Sequence, residues 1–250
     1  KVYMTKKIIA VDLDGTLLNN ESKLSDFTKE TIKKISEKGH HVIITTGRPY
    51  RMAKDFYREL ELHTPMINFN GSLTHLPGQT WEHEKCLTLD KKYLLDMVKR
   101  TEDIQADFIA GEYRKKFYIT TPNEEIADPK LFGVENFRPE NQFKPERVTK
   151  DPNCILLQTR AEDKYALADE MNRFYQHQLA INTWGGPLNI LECTPKGVNK
   201  AFALEYLLNV MNRDKKDLIA FGDEHNDTEM LAFAGKGYAM KNANPALLPY

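Results

Sequence analysis

Four short apolar runs mark the outer parts of the chain, and each gives way abruptly to a polar or glycine-bearing turn. Ile8 to Val11 runs into Asp12, Val42 to Thr45 into Thr46-Gly47-Arg48, Met66 to Phe69 into Asn70-Gly71, and Leu218 to Phe221 into Gly222-Asp223. Short continuous runs of β-branched and aliphatic residues suit strands buried on both faces, as in a parallel sheet. Between the first two, Ser25 is placed to cap a helix carrying Phe27, Ile32 and Ile35, and Gly39 to end it, which reads as β-α-β. Near the other end, Thr194-Pro195 has the form of an N-cap and first-turn pair. It predicts a helix burying Ala201, Leu204, Leu208 and Met211, between a strand at Leu188 to Leu191 and the one at Leu218. Strands alternating with helices predict an α/β fold, a Rossmann-like doubly wound parallel sheet.

The middle of the chain has a different pattern. One helix is predicted around Tyr93 to Lys99, strands at Asp107 to Ile109 and Phe117 to Thr121, and a proline-rich irregular stretch from Pro122 to Pro152. A strand at Cys154 to Gln158, a long helix through Leu167, Met171 and Phe174, and a strand from Leu179 to Trp184 follow. Tyr93, Tyr165, Phe174 and Tyr175, at helical spacing, are expected in the core of this part. The reading is an inserted α+β domain over 84–187, with the core domain made of 1–83 and 188–250. Thr80 to Glu84 and Gly185-Gly186-Pro187 stand at its borders as expected hinges.

Composition narrows the class. With 250 residues, 41% hydrophobic and 28% charged, the chain can bury a sizeable core. Its 35 basic residues nearly balance 36 acidic ones with no long basic block, which argues against nucleic acid and membrane surfaces as partners. Cys86, Cys154 and Cys193 are odd in number and lack a C-x-x-C pair, so neither a disulfide framework nor a zinc knuckle is indicated and a reducing cytoplasm is expected. The N-terminus shows no run of signal-peptide or membrane-span length, and Met4 reads as the native start. A monomer suffices for this pattern, which leaves the oligomeric state open.

The candidate chemistry lies at the strand ends. Ligands of an open parallel sheet bind outside the carboxyl ends of its strands, which gathers Asp12, Asp14, Thr46, Asn70 and Asp223 around one crevice. Each pair of like charges at about 4 Å repels by roughly 4 kcal/mol at an effective dielectric near 20. A divalent cation removes that cost, and oxygen-only ligands suit Mg²⁺ better than zinc.

Asp12-Leu13-Asp14-Gly15-Thr16, then Thr46-Gly47-Arg48, then Lys200 opening a helix, then Gly222-Asp223-Glu224-His225-Asn226-Asp227 resemble the four motifs of the haloacid dehalogenase superfamily. With a large insert between the second and third motifs, the order is similar to its Cof-type branch, whose cap is an α/β module. Asn68 to Ser72 and Gly235 to Pro245 resemble that branch too. The resemblance implies Mg²⁺-dependent hydrolysis of small phosphomonoesters (sugar phosphates, nucleotides or cofactor phosphates). It makes Asp12 the nucleophile that forms an aspartyl phosphate and Asp14 the general acid and base. It assigns the phosphate or substrate to Leu13, Thr46, Gly47, Lys200 and Asn226, with Arg48 and Asn70 as further contacts. The metal falls to Asp12, the Asp14 backbone carbonyl and Asp223, with Asp227 in support. Two departures stand out: Ala201 follows Lys200 where relatives often carry glycine, and Lys196, four residues earlier, is a second candidate lysine.

Blander and rival readings attach to the same residues. Asp-x-Asp alone equally suits a glycosyltransferase metal motif or a polar strand exit, Asn70-Gly71 a hairpin turn, and Lys200 a solvated helix residue. A phosphosugar mutase on the same scaffold is the enzymatic alternative, and a non-catalytic phosphometabolite-binding protein the second.

Overall fold

The computed structural model describes residues 6–223 and 227–240. The chain divides into two compact units. One comprises the chain up to Pro49, Ala53–Cys86 and the part from Asn199 onward; the other comprises Tyr50–Met52 and Leu87–Val198.

In chain order the elements are β1 (Ile8–Val11), α1 (Asp26–Glu37), β2 (His41–Ile44), α2 (Tyr50–Glu59), β3 (Met66–Asn68), β4 (Leu73–His75) and β5 (Lys85–Cys86). Then come α3 (Lys91–Lys99), β6 (Ala106–Tyr113), β7 (Lys116–Ile119), β8 (Cys154–Thr159), α4 (Lys164–Phe174), β9 (Leu179–Thr183) and β10 (Ile190–Pro195). The series closes with α5 (Lys200–Val210), β11 (Leu218–Gly222), α6 (Thr228–Phe233) and β12 (Lys236–Ala239).

The first unit is a Rossmann-like core. Its parallel sheet has the order β12-β11-β1-β2, so β1, from the start of the chain, pairs with β11, from near its end, in the register Ile8↔Leu218. A bridge from Thr45 to Ile67 extends the sheet toward β3. Ile8, Ala10, Ile43 and Ala220 on one face pack with Leu204, Leu207 and Leu208 of α5 and Met230 and Leu231 of α6. Each fully buried leucine of this kind stabilises the fold by about 1.5–3 kcal/mol. Ser25 caps α1 as expected, its Oγ accepting from the Thr28 N–H at 3.1 Å, and Gly39 follows the helix at φ +89°. Phe27, expected on the helix's packing side, is 79% exposed: it falls in the first turn of α1, where the side that meets the sheet is carried by Ile32.

The second unit is an antiparallel sheet, β7-β6-β8-β10-β9, with α3 and α4 over one face. Leu94, Met97, Leu167 and Met171 bury themselves there against Ile109, Ile155, Leu157 and Leu191. Tyr93 and Tyr175 join this core, edge to face at 5.6 Å, whereas Tyr165 and Phe174 lie on the exposed side of α4.

Four boundary expectations change. The strand expected in the core at Leu188 to Leu191 is part of β10, which pairs with β8 and β9, so the second unit runs to Val198 rather than ending at Pro187. Thr194 and Pro195 close that strand instead of opening a helix. Gly185-Gly186-Pro187 lies in the loop of the β9–β10 hairpin and not at a border; buried Lys164 donates to the carbonyls of Trp184, Gly186 and Leu188 and fixes its course. On the other side, Trp81 packs on the core of the first unit, which continues to Cys86. Among the described residues, no helix is long and apolar enough to cross a membrane.

Candidate active site

The site is built where β1, β2, β3 and β11 end. The apolar run of β1 stops at Val11, and Asp12 sits in the sheet's shelter, 4% exposed, with its N–H donating to Phe221 O of β11. The next residues turn tightly: Leu13 buries its side chain and donates its N–H to Asp12 Oδ1 at 2.8 Å. Gly15 takes φ +72°, where an added Cβ would lie 1.6 Å from Asp223 Oδ2. Only a residue without a side chain lets the first and fourth motif loops close on each other.

Lys200 meets these carboxylates from α5. Asn199 caps the helix by accepting from the Phe202 N–H at 2.8 Å, which aims the first helical side chain inward. Lys200 Nζ is fully buried, 2.5 Å from Asp227 Oδ1 and 3.3 Å from Asp12 Oδ1. Burial alone would lower its pKa, but Asp12 and Asp227 outweigh that and hold the ammonium well above its usual range. Asp227 also accepts the Asp223 N–H on Oδ2 at 2.9 Å. Lys200 keeps its carboxyl below the ordinary value despite burial. Asp12 moves the other way: burial, with Asp227 and Asp223 adding to it, raises its pKa although Lys200 opposes.

Asp12, Asp223 and Asp227 each bring an oxygen within 4.8 Å of the others. Three buried carboxylates against one buried ammonium leave an excess of negative charge, carried entirely by hard oxygen donors. That donor set fits Mg²⁺, and a divalent cation would return Asp12 toward its anionic form.

The second motif follows β2. Thr46 is buried and its Oγ1 accepts from the Arg48 N–H at 3.0 Å. A Cβ on Gly47 would press on the Asn70 amide at 3.0 Å, and Asn70 donates its N–H to Thr46 O at 3.0 Å. Phe69, Asn70 and Gly71 all have positive φ, at 52°, 54° and 114°. They form the β3–β4 hairpin turn, as the turn reading expects, and lay Asn70 beside Gly47. Arg48 grips Asp14 with two bonds, Nε to Oδ2 at 2.7 Å and Nη2 to Oδ1 at 2.5 Å. Asp14 thus stands outside the acidic cluster, its side chain 51% exposed.

Lys196 lies exposed in the turn after β10, which separates it from the buried lysine four residues later. Asn226, with Glu224 and His225, falls outside the described residues. Two residues beneath the site, Asn68 and His75, both buried and bonded to each other at 2.6 Å, receive no role from the motifs, although Asn68 opens the segment Asn68 to Ser72 that shares in the resemblance. An asparagine inside the apolar run Met66-Ile67-Asn68-Phe69 was the available signal for the first; nothing local marked the second.

Residues 9–250 match the family model described as haloacid dehalogenase-like hydrolase. The chain belongs to that family. The insert between its second and third motifs places it in the Cof-type branch of the superfamily. It is 32% identical over 245 residues to the 5-amino-6-(5-phospho-D-ribitylamino)uracil phosphatase YitU of Bacillus subtilis, covering 96% of this chain and 88% of the relative. A second 5-amino-6-(5-phospho-D-ribitylamino)uracil phosphatase of the same organism, YcsE, is 28% identical, with 95% and 84% covered. A haloacid dehalogenase-like hydrolase from Bacteroides thetaiotaomicron has the same fold, with a TM-score of 0.83 at 23% identity, covering 98% of this chain and 92% of that one.

Proposed function

We propose that this protein is a Mg²⁺-dependent phosphatase that hydrolyses small phosphomonoesters through an aspartyl phosphate on Asp12. The observation that carries the reading is the buried constellation of Asp12, Asp223, Asp227 and Lys200, assembled from both ends of the chain. Asp12, Asp223 and the Asp14 carbonyl would hold the cation, which supplies charge to offset the phosphate dianion against these carboxylates. Lys200 stabilises the equatorial oxygens of the transferring group, and Asp227, bound on both oxygens, fixes Lys200 and the Asp223 backbone. Thr46 lies buried beside Asn70 and Gly47, where its hydroxyl can donate to the same group. Asp12 attacks phosphorus; Asp14 gives a proton to the leaving alcohol and takes one from the water that hydrolyses the acyl phosphate.

Two relatives named as phosphatases of 5-amino-6-(5-phospho-D-ribitylamino)uracil make that compound the first substrate to try, within a panel of sugar phosphates, nucleotides and cofactor phosphates. Phosphate release is measured with Mg²⁺, after EDTA, and after Mg²⁺ is restored. Release that is lost in EDTA and regained with Mg²⁺ is expected; full activity in EDTA overturns the metal assignment. Conversion of a sugar phosphate to its isomer without phosphate release would favour the mutase, and turnover of nothing in the panel the binding protein.

A further inference from the structure

We infer that Asn68 and His75 are positioning residues for the general acid and base, acting through Arg48. The inference rests on the proposed phosphatase chemistry and on a hydrogen-bonded chain confined to the first unit. His75, on β4, and Asn68, on β3, face each other across the hairpin with Nε2 and Oδ1 2.6 Å apart. The amide's other end, Asn68 Nδ2, donates to Arg48 O at 2.9 Å. Since Nδ2 is the donor there, Oδ1 must accept, and His75 must carry its proton on Nε2. Arg48 is pinned at its N–H as well, by Thr46 Oγ1 at 3.0 Å, and its guanidinium then presents two parallel donors to Asp14.

The consequence is mechanical. Asp14 is exposed and sits on a turn, so its carboxylate would sample several rotamers without a fixed partner. A bidentate guanidinium imposes one plane and one approach on a carboxylate, and the guanidinium is only as fixed as the backbone that bears it. Arg48 follows β2 in a loop, where its carbonyl accepts from the Phe69 N–H at 3.4 Å; the Asn68 amide adds a second and shorter bond to the same oxygen at 2.9 Å. His75 in turn decides which way that amide points. Without a donor facing Oδ1, the amide can flip and set its oxygen against Arg48 O.

Asp14 matters most when the leaving group is a poor one, because a nitrophenolate departs without protonation and an alkoxide does not. The ratio of kcat/KM for the two ester types therefore reports general-acid placement, since the later hydrolysis of the acyl phosphate does not enter it, and a role in folding alone leaves it unchanged. The measurement is kcat and KM for p-nitrophenyl phosphate and for the sugar phosphate that the wild type hydrolyses fastest, in Asn68→Asp, His75→Leu, His75→Gln and Asp14→Ala, at a temperature where each is folded by circular dichroism. In Asn68→Asp and His75→Leu, kcat/KM, which reports only the steps up to departure of the leaving group and not hydrolysis of the acyl phosphate, should fall about 10- to 100-fold for the sugar phosphate and stay within a factor of about three for the aryl ester. His75→Gln, whose amide can donate from the place of Nε2, should recover most of the loss even if His75→Leu proves unstable. Equal losses on both esters in Asn68→Asp, or no rescue by glutamine, overturn the inference. If Asp14→Ala leaves the ratio where it is, the general-acid assignment itself falls and takes the inference with it; a shift in Asp14→Ala alone overturns only the inference.

Discussion

Asp12 and Gly15 are three residues apart and constrain substitution for different reasons. Asparagine at 12 keeps the shape of the side chain but not its nucleophilic oxygen, so Asp12→Asn should leave the fold intact and bring phosphate release to background; wild-type rates in that variant would remove Asp12 from its role. Alanine at 15 meets Asp223 Oδ2 and must also hold a positive φ, a conformation costing about 1–3 kcal/mol for a residue with a side chain. Gly15→Ala should lower the urea midpoint and activity together, and an unchanged midpoint would show that the turn can open without cost. Lys200 carries both effects as well. Its loss removes one preorganised contact to the phosphoryl group, worth about two to three orders of magnitude in kcat, and leaves Asp12 and Asp227 buried without their cation. Lys200→Met should therefore be slow and unstable, whereas Lys196→Ala, in its exposed turn, should change neither rate nor denaturation midpoint. Asp12, Thr46, Asn70 and Asp223 were legible because each lies where an apolar run breaks into a polar or glycine-bearing turn, and Lys200 because its place follows the order of the motifs. Asn68 and His75 were not, because their meaning is a contact between neighbouring strands.

At the scale of elements, what could be read depended on whether local signals agreed with distant partners. Ser25 and Gly39 marked the ends of α1 because capping is settled within a few residues. Thr194-Pro195 carried an equally good local signal and misled, since the ladder from β10 to β8 and β9 overrides it and leaves the capping of α5 to Asn199. Asn199→Ala should cost about 1 kcal/mol, as lost caps do, and should lower kcat beyond what that instability explains, because the same turn aims Lys200. The entry to β2 predicts acid sensitivity. Burial lowers the pKa of both His40 and His41, with Lys6 and Lys38 adding to the effect at His40, and His40 Nδ1 accepts from the Lys7 N–H at 2.9 Å, which requires the neutral ring. A histidine whose folded pKa lies below the unfolded value near 6.5 contributes stability above that pH and loses it as pH falls through the folded value. Thermal midpoints should thus hold near neutrality and drop on acidification below about pH 6.5, less steeply in His40→Asn, whose amide oxygen can accept at any pH. Parallel curves for the two proteins would assign the acid loss elsewhere.

For the whole molecule, the division into a parallel core and an inserted antiparallel unit followed from the change in pattern near Glu84, while the far border, beyond Pro187, was obscured because β10 reads locally like a core strand. The motifs of the first unit supply phosphoryl chemistry and little that could read a leaving group. Exchange of residues 87–198 for the corresponding segment of a relative should therefore carry over that relative's substrate ranking and leave the Mg²⁺ requirement intact; a folded chimera with the original ranking would move recognition to core loops such as Asn70 to Ser72. The catalytic expectations rest on the phosphoryl group proposed to be carried on Asp12. The most direct measurement is to mix Asp14→Ala, which lacks the base for hydrolysis of the acyl phosphate, with p-nitrophenyl phosphate and Mg²⁺, quench in acid, and map the modified peptide by mass spectrometry. A base-labile phosphate on Asp12, absent in EDTA and in the Asp12→Asn, Asp14→Ala double variant, is the predicted result; nitrophenol release with Asp12 unmodified throughout would contradict it.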